Sequence, residues 1–292
     1  MAQKYDRSAE DVANIVALEH VNLTVPDQRL ATLFYITGLG LTRDPYLITG
    51  VGNMWVNVGR SQFHLPTRGT QLLRGHVGLV LPNLDALAGM LSAVRGDLAG
   101  TQFDFQPGDS FIDVTCPWGN RLRCHAPDPQ FGPIILGMPY VAFDVPPGAA
   151  EGIARFYREI MKTRAATEVI DGAPAARVSV GYHQDLLFRE TEAPLPDYDG
   201  HHIQIYIADF SGPHTALGER GLITEESDQH QYRFTDITDL DSGERLYTLE
   251  HEVRAMSHPL FGRPMINRNA AQTNNNYAPG HDDQPWGTPY SK

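Results

Sequence analysis

The 292-residue chain holds 35 acidic and 23 basic residues, for a formal charge of −12, and its apolar and charged shares of 41% and 20% suit a globular fold. No dense Lys/Arg cluster offsets that charge, so nucleic-acid binding through phosphate contacts is not expected. The longest apolar runs are strand-sized and broken by Pro or Gly, short of the ~20 residues a membrane span needs.

The N-terminal stretch 1–16 is polar and reads as an extension. After it, Glu19-His20-Val21-Asn22-Leu23-Thr24-Val25-Pro26-Asp27 alternates like a half-buried strand and ends in Pro and a capping residue. A helix over Gln28–Thr37 and strands around Met54–Val58 and Gly59–Pro66 are expected next. The pattern then returns in Gly75-His76-Val77-Gly78-Leu79-Val80-Leu81-Pro82-Asn83, with a helix over Leu84–Val94. Strand-like runs at Phe103–Phe105 and Phe111–Thr115 follow, then Gly119–Pro127. The starts lie 56 residues apart (20 to 76), and the His-x-Pro ends 61 apart (64 to 125). A shared offset at both ends of a segment marks an internal repeat.

Two more copies are fainter. One starts at Pro139–Pro146, with Tyr140 in the place of His76, and continues through a helix over Ala149–Met161 and strands at Ala176–Val180 and Leu186–Glu190. The other starts at His201–Asp209, makes a long excursion over Phe210–Gln231, and ends in the alternating run Arg245–Glu252. The expected organisation is a first paired domain over 17–128, a linker over 129–138, a second paired domain over 139–262 and an irregular tail over 263–292. The tail is too polar to fold alone, and is either disordered or an arm lying on the body or on a partner. The two cysteines, Cys116 and Cys124, read as buried thiols in a reducing cytoplasm, with a disulfide as the alternative in an oxidising compartment.

The His-Val-x-Leu starts at His20 and His76, the helix ending Phe34-Tyr35-Ile36-Thr37-Gly38-Leu39-Gly40-Leu41, and the turn Cys116-Pro117-Trp118-Gly119-Asn120-Arg121-Leu122 resemble the vicinal oxygen chelate superfamily. Its members include glyoxalases, bleomycin-resistance proteins and extradiol dioxygenases. The resemblance covers roughly residues 17–255 and implies an α+β fold of four βαβββ units, paired into two cupped domains. It also implies ligands on the first and last strand of each unit. The first-strand places hold His20, His76, Tyr140 and His202. The last-strand places hold Gln62 and Arg123, and then residues near Glu190 and Glu250.

Metal ligands are accordingly expected among His20, His64, His76, His202 and Glu250, binding Fe(II), Zn²⁺ or Mn²⁺. Glu250 and Glu190 are candidate general bases, while Arg123, Tyr140 and His125 are candidate substrate contacts. Each has a plainer alternative. A strand histidine is often satisfied by a neighbouring carbonyl, and Glu250-His251-Glu252 faces the cup with either its two glutamates or its histidine. Two functions follow from the resemblance. One is a metal-dependent enzyme acting on a small oxygen-chelating substrate by dioxygenase-like or glyoxalase-like isomerase or lyase chemistry. The other is a metal-free small-molecule binding protein of the bleomycin-resistance type. A homodimer is expected from family habit.

Overall fold

Pro26-Asp27 and Pro82-Asn83 do what their chemistry suggests. Asp27 Oδ1 accepts from the backbone N–H groups of Arg29 and Leu30 at 2.7 and 3.0 Å, and Asn83 Oδ1 from that of Ala86 at 2.9 Å. In this computed structural model, which describes residues 5–44, 47, 52–263 and 265, those caps open the helices of the first two of four repeated units. Unit one is β1 (Ile15–Asn22), α1 (Gln28–Ala31) running into a π-helical turn over Thr32–Gly38, then β2 (Thr42–Arg43), β3 (Asn53–Val58) and β4 (Ser61–Pro66). Unit two is β5 (Gly75–Val80), α2 (Leu84–Val94), β6 (Asp104–Pro107), β7 (Phe111–Thr115) and β8 (Arg121–His125).

Unit three is β9 (Gly137–Val145), α3 (Ala150–Glu159), β10 (Ala165–Ile170), β11 (Ala173–Gly181) and β12 (Gln184–Glu190). Unit four is β13 (His202–Ile207), α4 (Ser211–Gly218), β14 (Ile223–Asp228), β15 (Gln231–Thr238) and β16 (Arg245–Ala255). The fourth unit's expected excursion is therefore a short helix and an edge strand. Both were hidden in the sequence: α4 begins Ser-Gly-Pro, and β14 reads Ile-Thr-Glu-Glu-Ser-Asp, mostly exposed and without apolar alternation.

The strands form two mixed eight-stranded sheets, ordered β14-β15-β16-β13-β1-β4-β3-β2 and β10-β11-β12-β9-β5-β8-β7-β6. Unit one thus shares a sheet with unit four, and unit two with unit three. This corrects the expected pairing of sequence neighbours within 17–128 and 139–262. The physical reason lies in the helices. Units one and two meet through their helical layers, where a side chain on Gly38 would crowd Val94 and Leu91. Units three and four meet through α3 packed on β15 and β16. Sheet edges remain free to join across the chain, β1 antiparallel to β13 and β5 antiparallel to β9.

One apolar core runs through the molecule, with the side chains of Phe34, Phe63, Phe143, Phe156, Phe188 and Phe234 fully buried. Gln184 ties the sheets together, its amide donating to Leu18 O, Ser61 Oγ and Met138 O at 2.9–3.2 Å. Cys116 and Cys124 are free and buried.

Candidate metal centre

Successive side chains of a strand normally alternate between faces, but β1 breaks the rule where it matters. Its register with β13 shifts between Leu18, opposite Ile205, and His20, opposite Gln204. Such a bulge re-aims side chains, and here both Glu19 and His20 reach the concave face of the first sheet. His202 stands beside them on β13. The parallel β13–β16 pair sets Glu250 next to His202 and Glu252 next to Gln204, so both glutamates face the cup. His251 takes the opposite face, stacked on Phe234 with ring centroids 4.2 Å apart, its Nε2 2.5 Å from Tyr157 Oη.

His20, His202 and Glu252 each offer one ligand atom, and the three atoms lie within 4.8 Å of one another. His20 is fully buried, and neither of its ring nitrogens has a hydrogen-bond partner; His202 Nε2 is likewise buried and unpartnered. Leaving a buried polar group unpaired costs about 1–3 kcal/mol, so orphaned ring nitrogens converging on one point need an explanation. A divalent cation supplies one, because neutral imidazoles and a carboxylate are its preferred donors.

The protonation states agree. Burial holds the His20 imidazole well below its ordinary range, and therefore neutral, although the Glu252 charge opposes it. Burial alone would raise Glu252. The neighbouring His202 ring, its Nε2 3.6 Å from Glu252 Oε2, and the charges of Arg254 and Arg233 outweigh it and keep the carboxylate ionised. Arg254 Nη2 lies 2.6 Å from Glu252 Oε1, and Arg233 bridges Glu252 to Glu250. Glu250 Oε1 is 3.3 Å from His202 Nδ1, the place of a carboxylate that orients a ligating imidazole. On the far side, Arg254 Nη1 donates to Glu19 Oε2 at 3.2 Å and Tyr206 Oη to Glu19 Oε1 at 3.2 Å. The donor set of two imidazoles and one carboxylate fits a divalent metal.

No protein-family model matches the sequence, and neither does any curated protein. Solved structures do. Glyoxalase I from Zea mays superposes with a TM-score of 0.57 at 12% identity, over 85% of this chain and 94% of that one. A candidate dioxygenase from Bacillus subtilis gives 0.53 at 14% identity, over 84% and 86%. The cppA protein from Streptococcus pneumoniae gives 0.50 at 11%, over 83% and 99%.

The chain has the vicinal oxygen chelate fold.

Within that fold, the cup of the first sheet brings together His20, His202 and, one pleat further along, His64. The His64 ring stacks on Trp55 at 3.7 Å and lies 5.6 Å from the His20 ring, beside the donor group rather than within it. The carboxylate in the donor group is that of Glu252, while the expected Glu250 stands behind His202 at its Nδ1. The sequence signal was the alternation in Glu250-His251-Glu252, which left the choice of residue to the β13–β16 register. Gln62, in a last-strand place, is no ligand either. Its amide nitrogen donates to Asp44 and Asn57 at 2.6 Å, and its oxygen accepts from Arg263 at 2.8 Å.

The other expected site residues belong elsewhere in the vicinal oxygen chelate fold. Glu190 caps a helix, its Oε1 accepting from the Ala150 N–H at 2.9 Å. His76, Arg123, His125 and Tyr140 line a cavity of about 440 Å³ in the second sheet's cup. Arg123 is held by Asp113 through two hydrogen bonds of 2.8 and 3.1 Å, and His125 Nε2 is 2.9 Å from Tyr140 Oη.

The equivalence of His20 and His76 also fails, for a local reason. Asn22 pairs with His64 and Val80 with His125, so the residue in the place of His20 is Gly78, which pairs with Arg123 as His20 does with Gln62. Unit one has two more residues between this strand and its helix cap, and aligning the caps shifted the histidines by one pleat. A side chain on Gly78 would collide with the Tyr140 ring, 2.3 Å from its first carbon. Sequence reading missed Glu19, Arg233, Arg254 and Arg263: the three arginines occupy no repeated position, and Glu19 reaches the cup only through the bulge in β1.

Proposed function

We propose that this chain is a metal-dependent enzyme that binds a divalent ion through His20, His202 and Glu252 and acts on a small substrate presenting two adjacent oxygens. The observation that carries the reading is the convergence of orphaned, buried ring nitrogens of His20 and His202 on the ionised Glu252 carboxylate. When bound, the metal supplies Lewis-acid polarisation of substrate oxygens or, as Fe(II), a centre for oxygen chemistry.

The chain's own residues do the rest. Glu250 fixes the tilt of His202 through Nδ1. Arg254 and Arg233 hold Glu252 ionised and in place. Burial excludes bulk water from His20 and so leaves the unprotonated nitrogen of its neutral ring free to donate a lone pair. The reading supports dioxygenase-like and isomerase or lyase chemistry alike. The two free thiols fit a cytoplasmic setting.

Elemental analysis of protein purified without chelators tests it. Near-stoichiometric metal is expected in wild type and should be lost in His20→Ala, His202→Ala and Glu252→Ala. Glu250→Ala should keep the metal but bind it roughly 10–100-fold more weakly, as an orienting partner does. Wild-type protein that takes up no Zn²⁺, Mn²⁺ or anaerobic Fe²⁺ would sink the reading and favour a metal-free binder.

A further inference from the structure

A row of polar side chains crosses the concave face of the first sheet, and Gln204 stands at its centre. The register across β1, β13 and β16 sets His20, Gln204 and Glu252 side by side, and His202 lies two residues before Gln204 on β13. Side chains two apart on a strand share a face, and those paired across strands stand about 5 Å apart at their first carbons. Gln204 therefore rises from the cup between His20 and Glu252, one pleat from His202. Ile203 and Ile205 take the other face, in the apolar core.

Gln204 has no exposed surface, and among the described residues neither its Oε1 nor its Nε2 has a hydrogen-bond partner. An amide carries two donors and two acceptor lone pairs, and burying all of them unpaired is costly. The same row shows what the sheet does with an amide elsewhere. Gln62, on the other side of His20, donates to Asn57 and Asp44 and accepts from Arg263. Beside Gln204 the pairing stops. An imidazole N–H and an amide oxygen are natural partners, yet His20 and Gln204 stand next to one another unbonded. The Glu252 carboxylate is engaged by Arg254 and Arg233 instead. Side chains left unbonded in this way, each with a lone pair to offer, suit a shared cation.

We propose that the Gln204 amide oxygen is a further protein donor to the metal held by His20, His202 and Glu252. The proposal rests on the metal-site reading and deepens it, because the fourth donor bears on which ion the site takes. An amide oxygen is a neutral, hard ligand, so it adds no buried charge beside Glu252. It also raises the affinity for an oxygen-preferring ion such as Mn²⁺ more than that for Zn²⁺, which is content with imidazole. The strand β13 then supplies two of the four donors, at His202 and Gln204.

Titration of chelator-treated protein with Mn²⁺ alone and with Zn²⁺ alone tests it, on wild type, Gln204→Leu and Gln204→Glu. Losing an orienting partner already costs a metal site roughly 10–100-fold, so Gln204→Leu should weaken Mn²⁺ binding roughly tenfold or more, and Zn²⁺ binding by a smaller factor. Gln204→Glu keeps the oxygen and adds a charge, and should bind Mn²⁺ more tightly than wild type. Metal-free Gln204→Leu should melt no lower than metal-free wild type, because the amide has no partner to lose. Equal losses for the two ions together with a lower metal-free melting temperature would make Gln204 a structural residue and overturn the proposal. Should the leucine variant fail to fold, Gln204→Glu decides alone, and Mn²⁺ bound no more tightly than by wild type overturns it. Wild-type protein that takes up neither ion removes the metal-site reading and this donor with it. Wild-type uptake that Gln204→Leu matches for both ions removes the donor alone.

Discussion

His251 shows how one pleat separates a candidate ligand from a core residue. It sits between two glutamates of the cup, yet its ring is fully buried on the other face, with Nδ1 2.7 Å from Leu249 O. Burial pushes its pKa down to about 3, against the hydrogen bond to Leu249, which acts to raise it. A histidine whose folded pKa is depressed is neutral in the native state and takes a proton first in the unfolded chain. Its contribution to stability is therefore present above about pH 6.5 and is lost as pH falls toward 3. His20 and His64, also lowered by burial, act in the same direction. Metal-free protein should thus lose stability between about pH 6.5 and 4.5, where most carboxylates are still ionised. Replacing His251 with Phe should remove up to about 1.4 kcal/mol per pH unit of that slope. Denaturant melts across the window would check it, and an unchanged slope would mean that His251 is not the buried neutral base described here.

At the scale of elements, the repeat was legible because its markers are local: alternation, Pro-Asp or Pro-Asn caps, and His-x-Pro ends. α2 lies where its spacing put it, at Leu84–Val94, and β1, β5, β9 and β13 begin the units as expected. What stayed hidden was non-local. The bulge that turns Glu19 and His20 to one face depends on β13, a strand far along the chain, and the placing of Glu252 beside them depends on the same strand's pairing with β16. Aligning the helix caps likewise concealed that Gly78, rather than His76, stands in the place of His20. That glycine is what admits the Tyr140 ring to the second cup, and the consequence can be tested. Gly78→Ala should destabilise the protein by about 1–3 kcal/mol through overpacking, and Tyr140→Ala in the same chain should recover part of the loss. A Gly78→Ala protein as stable as wild type would show that Tyr140 does not fill that space.

For the whole molecule, the pairing of unit one with unit four and of unit two with unit three makes the two halves of the chain interdependent. Cut within the connection 128–136, each half would hold two half-sheets, with β1 and β5 or β9 and β13 left as bare edges. The centre of the first cup would be split as well, since His20 lies in one half and His202 and Glu252 in the other. Unpaired central strands with apolar faces do not persist in water; they pair or aggregate. The fragments 1–133 and 134–292 should therefore show little cooperative melting when expressed alone. Mixed or co-expressed, they should associate, recover a single transition and regain the metal site. Two halves that each fold and melt cooperatively by themselves would instead require sheets closed between sequence neighbours. The same topology makes the long-range β1–β13 contact a requirement for the proposed metal centre. Folding should then be slow relative to chains built from local pairings, because the two central strands must find each other across nearly the whole sequence.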